Sequence, residues 1–178
     1  MKLIDTDFEG LFIVENQRID DQRGFFEKKF SQELLSRITK NVGESYVSRS
    51  SKGVLRGLHF QRGLAAQTKL VTCISGSFID IAVDLRKEKE TFGRVFLYKV
   101  DSREPISLFI PGEFAHGIFA LEDNTVLLNY AGSVYSPGNE GGILWSSLTE
   151  LDFIKNPIIS EKDSALPSLK IIMESYEQ

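Results

Sequence analysis

Gly53-Val54-Leu55-Arg56-Gly57-Leu58-His59-Phe60-Gln61 is an apolar run broken by glycine, with one of the chain's two histidines three residues after an arginine. Its length and residue types fit a β-strand. Similar short runs recur on both sides: Leu11–Val14, Phe25–Phe30, Tyr46–Ser50, Val54–Gln61 itself, Thr68–Ile74, Phe78–Leu85, Val95–Val100, Ser107–Ile110, Ala115–Leu121 and Thr125–Tyr130. Gly, Pro, Asn and Asp separate them, which is the pattern of a sandwich or barrel. One helix is expected over Gln32–Ile38, with Ser31 as N-cap and Leu34, Leu35 and Ile38 on its apolar face. A short helical turn is expected near Ser160–Ala165. The reading is all-β with small helical appendages, one domain over residues 1–178.

Composition narrows the function. A formal charge of −4 argues against a nucleic-acid footprint, which needs a basic stripe. The single cysteine, Cys73, excludes an internal disulfide, and its apolar surroundings mark it as a core residue rather than a nucleophile. Met1-Lys2-Leu3-Ile4-Asp5 lacks the apolar stretch of a signal peptide, and no segment approaches transmembrane length. The expectation is a cytoplasmic protein without membrane contact.

His59 can exchange a proton near neutral pH, and Arg56 can grip a phosphate or carboxylate with a planar fork of donors. Together they suggest proton chemistry on an anionic substrate, although an edge strand with a solvated His and a surface Arg would read the same. Strict alternation places Arg56 and His59 on opposite faces. Both can line one cavity only if the strand is kinked, and Gly57 is the expected bulge. A second pattern lies in Thr68–Ile74 and Phe78–Leu85, which flank Ser75-Gly76-Ser77. A two-residue turn at Ser75-Gly76 would set Val71 opposite Asp80 and Lys69 opposite Ala82. Lys69, Val71, Cys73, Phe78, Asp80 and Ala82 would then share one face, with Lys69 and Asp80 as diagonal neighbours. A cation and an anion on an apolar face are either a structural pair or poised in a pocket.

These residues sit in a set of collinear motifs. Asp21-Gln22-Arg23-Gly24-Phe25-Phe26-Glu27 comes first, then Val54–Gln61, Lys69-Leu70-Val71 and Asp80-Ile81-Ala82-Val83-Asp84-Leu85-Arg86. Thr91-Phe92-Gly93, Ile110-Pro111-Gly112-Glu113-Phe114-Ala115-His116-Gly117, Tyr135-Ser136-Pro137 and Ile159-Ser160-Glu161-Lys162-Asp163 follow. From about Asp20 to Leu169 the chain resembles the dTDP-4-dehydrorhamnose 3,5-epimerases, a branch of the cupin-like sugar epimerases. The resemblance implies a cupin-type jelly-roll β-barrel with the pocket inside, a homodimer, and neither metal nor cofactor. Phe60 and Gln61 stand where a metal-binding cupin usually offers a second histidine, and two distant histidines make a poor metal set.

The implied substrate is a nucleotide-linked 4-keto-deoxyhexose carried on dTDP or CDP. Its C3 and C5 flank the C4 ketone, so removing either proton gives an enolate, and reprotonation on the opposite face inverts the centre. Carried over by motif, His59 is the base, Asp163 orients it, and Lys69 lies near the enolate oxygen with Asp80 as its partner. Arg56 binds near the sugar or its phosphates. Arg23, Glu27, His116, Tyr135 and Glu140 fall on substrate-binding positions.

Two positions depart from the family pattern. The family's reprotonating tyrosine normally lies thirteen residues after the histidine of Ala-His-Gly, where this chain has Asn129, an amide that cannot act as a general acid. Tyr130 is adjacent but faces the other way by alternation. Ahead of Arg56, Glu44 and Tyr46 replace the family's usual glutamine and asparagine. Tyr46 is therefore the candidate acid, and Glu44 favours sugar hydroxyls over phosphate at its site. A single-site epimerase inverting C3 or C5 alone is an open alternative, as are a 3,4-ketoisomerase and a non-catalytic sugar-nucleotide binder.

Overall fold

The computed structural model describes residues 1–36 and 42–176. In chain order the strands are β1 (Lys2–Asp5), β2 (Phe12–Glu15), β3 (Gln17–Asp21), β4 (Gly24–Lys28), β5 (Glu44–Ser50), β6 (Leu55–Gln61) and β7 (Lys69–Ser75). They continue with β8 (Ser77–Asp84), β9 (Val95–Asp101), β10 (Ile106–Ile110), β11 (Phe114–Ala120), β12 (Thr125–Ala131) and β13 (Glu140–Gly142). The α-helices are short: α1 (Gln32–Leu35), α2 (Glu161–Ser164) and α3 (Leu169–Ser175).

Every expected strand forms, within a few residues of its expected ends. The sequence reading missed β1, β3, β13 and α3. β1 and β3 are mostly exposed, and β13 is Glu140-Gly141-Gly142, so these strands lack the apolar alternation that marks a strand. Ser31 does precede α1 in an extended conformation, but its side chain makes no capping bond. Ile38 of that expected helix lies outside the described residues. The expected turn at Ser160–Ala165 is α2, capped by Ser160 Oγ accepting from the Asp163 N–H.

The strands form a six-stranded sheet in the order β1-β2-β10-β7-β12-β5, and a five-stranded sheet in the order β13-β6-β11-β8-β9. β3 and β4 make a separate two-stranded ribbon. The two large sheets pack face to face as a cupin-like jelly roll. Val71, Cys73, Leu108 and Leu127 from one meet Phe78, Ala82, Phe114 and Ile118 from the other in a common buried cluster. The outer face of the five-stranded sheet is covered too: Leu58, Ile81 and Val83 pack against Ile143, Leu148, Leu151 and Ile172 from the C-terminal region. That double burial explains why β8 reads as a continuous apolar run rather than an alternating one.

The expected hairpin of β7 with β8 does not form. Val71 lies opposite Leu108 and Asn129, whereas Asp80 lies opposite Ile118 and Tyr98. At Ser75-Gly76 the chain crosses from one sheet to the other. Gly76 takes φ 76°, and a Cβ there would sit 2.6 Å from Thr125 Oγ1. The shared face predicted for Lys69, Val71, Cys73, Phe78, Asp80 and Ala82 survives in another form: all six are buried, and Val71, Cys73, Phe78 and Ala82 meet in one cluster, because two facing sheets bury inward residues as one hairpin face would. Alternation therefore reported the inward direction correctly and the pairing incorrectly.

Candidate active site

A cavity of about 670 Å³ opens inside the barrel. Lys69, Asn129 and Tyr46 line it from the six-stranded sheet, and Arg56, His59 and His116 from the five-stranded one; Tyr135, Glu140, Lys162 and Asp163 complete the wall. The β6 kink at Gly57 makes this possible. His59 pairs with His116 while Arg56 pairs with Ile118, so β6 carries one residue more than β11 over that interval. Gly57 has φ +108°, and a Cβ there would lie 2.6 Å from the His116 carbonyl oxygen, so no side chain fits. The extra residue turns Arg56 and His59 into the same cavity, as the bulge reading expected.

His59 and Asp163 are 104 residues apart, and their Nε2 and Oδ1 atoms are 2.7 Å apart. Asp163 is buried, and its other carboxylate oxygen accepts the Gly57 N–H at 3.0 Å. The same carboxylate thus holds both the imidazole and the bulge. A carboxylate only accepts, so Nε2 is the donor in this contact, and in the neutral imidazole Nδ1 is the nitrogen left with a lone pair. Directly across the ladder, His116 Nε2 lies 2.8 Å from Asp80 Oδ2. Asp80 is fully buried, and its Oδ1 has no hydrogen-bond partner among the described residues.

Lys69 is buried and makes no ion pair within 4 Å among the described residues. Burial pushes its ammonium down to about 8, against the opposing pull of the Asp80 and Glu140 carboxylates. Asp80 is therefore an electrostatic neighbour of Lys69 across the barrel, and its hydrogen bond goes to His116. This corrects the expected diagonal contact, which required a hairpin. Glu140 Oε2 accepts from Tyr135 Oη and from Lys162 Nζ, both at 2.7 Å. Burial raises the Glu140 carboxyl, but those two hydrogen bonds outweigh it and hold the group below its usual range. Arg56 is steered by Ser50 Oγ, which accepts its Nε–H at 2.9 Å, and by the Arg49 carbonyl.

Three expected residues lie elsewhere. Arg23 projects from the β3–β4 turn, 84% exposed, and pairs with Asp21. Glu27 is sealed in a polar cluster with Lys29 and Asn16, outside the cavity. Both ride on the two-stranded ribbon, which does not belong to either large sheet. Glu44 lines a smaller adjoining recess of about 350 Å³ with Tyr46, Gln67 and Tyr135, and accepts from Gln67 Nε2. Gln67 and Lys162 were not singled out in the sequence. For Lys162 the available signal was its place beside Asp163 on one short motif; Gln67 carried none.

The family model described as dTDP-4-dehydrorhamnose 3,5-epimerase matches residues 5–170. The chain belongs to that family. It is 41% identical to the dTDP-4-dehydrorhamnose 3,5-epimerase of Salmonella typhimurium over 95% of this chain and 96% of that one. The crystal structure of the Bacillus anthracis epimerase with TDP and PPi bound superposes with a TM-score of 0.88 at 34% identity, covering 94% and 98% of the two chains. The Legionella pneumophila enzyme in complex with dTDP-4-keto-L-rhamnose gives 0.85 at 31% identity, covering 98% and 95%. The chain is thus a carbohydrate epimerase of the isomerase class, as the motifs implied.

Proposed function

We propose that this chain epimerises a dTDP-linked 4-keto-6-deoxyhexose by a one-base, one-acid proton exchange beside the C4 ketone. The observation that carries the reading is the 2.7 Å His59–Asp163 contact inside a cavity that also holds the buried Lys69. His59 Nδ1 takes the proton from C3 or C5, and Asp163 stabilises the imidazolium that forms. The electron pair moves through C4 to O4, where the Lys69 ammonium holds the enolate oxygen. Asp80 keeps Lys69 protonated at neutral pH, and its bond to His116 keeps that carboxylate in place. The Tyr46 phenol returns a proton to the opposite face. Burial and the nearby Glu44 carboxylate raise its pKa.

Arg56 receives the diphosphate, while Asn129, Tyr135 and Glu140 supply amide, phenol and carboxylate contacts to the sugar hydroxyls. The reading includes a homodimer. Ile19, Phe25 and Phe26 are 56%, 56% and 62% exposed on the β3–β4 ribbon, an apolar surface suited to a second copy. In that assembly the exposed Arg23 would reach a pocket it does not reach within one chain. A cytoplasmic setting fits the lone, buried, reduced cysteine. Among the described residues no helix is long and apolar enough to cross a membrane.

The test is NMR of substrate in heavy water, offering dTDP- and CDP-linked 4-keto-6-deoxyglucose in turn. Deuterium enters C3 or C5 with inversion on the dTDP sugar, and His59→Ala abolishes it. Deuterium uptake that survives His59→Ala would remove the proposed base.

A further inference from the structure

Two phenols line the cavity, and they differ in what they can do. Tyr135 already donates to Glu140. The Tyr46 hydroxyl has no partner among the described residues. Tyr46 sits on β5, the edge strand of its sheet, directly opposite Asn129 on β12, which in turn lies opposite Val71 on β7. Opposed residues in an antiparallel ladder point to the same face, so Tyr46 and Asn129 present side chains to one patch of wall from adjacent strands. Their depths differ. Tyr46 is 41% exposed and Asn129 5%, so the phenol stands at the mouth and the amide lies deep, next to the strand that carries Lys69.

The magnitudes decide what this placement does. Adjacent strands are about 4.8 Å apart. C3 and C5 of a 4-keto sugar are two bonds apart through C4, about 2.5 Å by ordinary bond lengths and angles. With O4 held at Lys69, the two acidic carbons lie on either side of the C4–O4 axis. A proton donor moved by one strand is displaced by about twice the distance between them. A phenol entering from the neighbouring strand and from the mouth therefore approaches the two carbons unequally.

Resting on the epimerase reading above, we infer that the placement of the cavity's unpartnered phenol at position 46, with an amide at 129, confines inversion to one of the two carbons. At that carbon His59 Nδ1 removes the proton, and the C–H electron pair becomes the C=C bond of the enolate. The Tyr46 O–H bond then breaks as the new C–H bond forms on the opposite face and O4 returns to a ketone. The phenolate regains a proton from water, and the imidazolium releases one. At the other carbon, His59 can remove and return a proton on the same face, which exchanges hydrogen without inverting the centre.

The experiment follows dTDP-4-keto-6-deoxyglucose in heavy water by NMR, reading label and configuration at C3 and C5 separately. For the unaltered protein the expected result is inversion at one carbon at least tenfold faster than at the other. Tyr46→Phe is expected to lose inversion by about 100-fold or more while still exchanging hydrogen with retention, a pattern that a merely space-filling tyrosine does not produce. Asn129→Tyr, confirmed folded by circular dichroism, is expected to gain inversion at the second carbon. Comparable inversion at both carbons in the unaltered protein, or undiminished inversion in Tyr46→Phe, overturns the inference even if Asn129→Tyr does not fold. If the unaltered protein exchanges neither carbon, the epimerase reading itself fails and takes this inference with it.

Discussion

The two histidine–carboxylate pairs stand side by side on neighbouring strands, yet they are built for different work. His59–Asp163 joins the barrel to the C-terminal segment, and the imidazole side chain keeps 32% of its exposure. His116–Asp80 is closed within the five-stranded sheet, at 8% and 0%. Both have a carboxylate 2.7–2.8 Å from Nε2. The contact alone therefore does not mark a base. What separates them is access: an imidazole that must meet a carbon acid needs open space in front of Nδ1, whereas one that steadies a buried anion needs none.

That contrast can be broken in several places. The largest effect is expected for Asp163→Asn, whose amide can donate to Nε2 and favour the tautomer with Nδ1 protonated. The kcat should fall by roughly 10³–10⁴, with thermal stability changed far less, as measured by steady-state rates and melting curves. Asp80→Asn should act on the other pair and through it on Lys69. Losing a charge-assisted hydrogen bond in a buried site should cost about 1–3 kcal/mol of stability. Because Asp80 raises the Lys69 pKa, its removal lets burial push that ammonium below about 8. The alkaline limb of kcat/KM should then move to lower pH, and a limb that stays put would uncouple Asp80 from Lys69.

Lys69 itself sharpens the comparison through pH. In the unaltered protein, kcat/KM should fall as pH rises through about 8, as the ammonium that holds the enolate loses its proton. Stability should run the other way. The folded pKa lies below the ordinary 10.5, so the unfolded chain binds more protons between the two values, and stability rises with pH across that window. Below about pH 8 the cost of burying the cation is fully present, on the order of 3 kcal/mol. Lys69→Met should therefore raise the melting temperature at pH 7 and do so less at pH 10, while abolishing turnover. The smallest effect is expected for Lys162→Met, which frees Glu140 from one of its two hydrogen bonds. A rise of a few-fold in KM with kcat little changed would assign Glu140 to binding rather than to the chemical step.

Much of the barrel was legible in the chain. β2, β4 to β12 and α2 were all expected from apolar runs bounded by turn residues, since strands with a buried face must carry such runs. The ends of the site were legible too: His59, Asp163, Lys69 and Arg56 reach one cavity. The failures share a cause. The β7–β8 hairpin and the direct Lys69–Asp80 contact both required knowing which strand lies beside which. Alternation tells only which way a side chain points.

The residues alone settled the all-β class, the inward faces of β7 and β8, and the exchange of phenol and amide between positions 46 and 129, because hydrophobic period and residue identity are local properties. Only the folded chain decided that those two positions are opposed across one ladder, that Asp163 returns over 104 residues to hold His59, and that Asp80 answers to His116. Each of these depends on sheet order and on how two sheets face each other. Such contacts join residues far apart in sequence, and no short window of the chain encodes the distance between them.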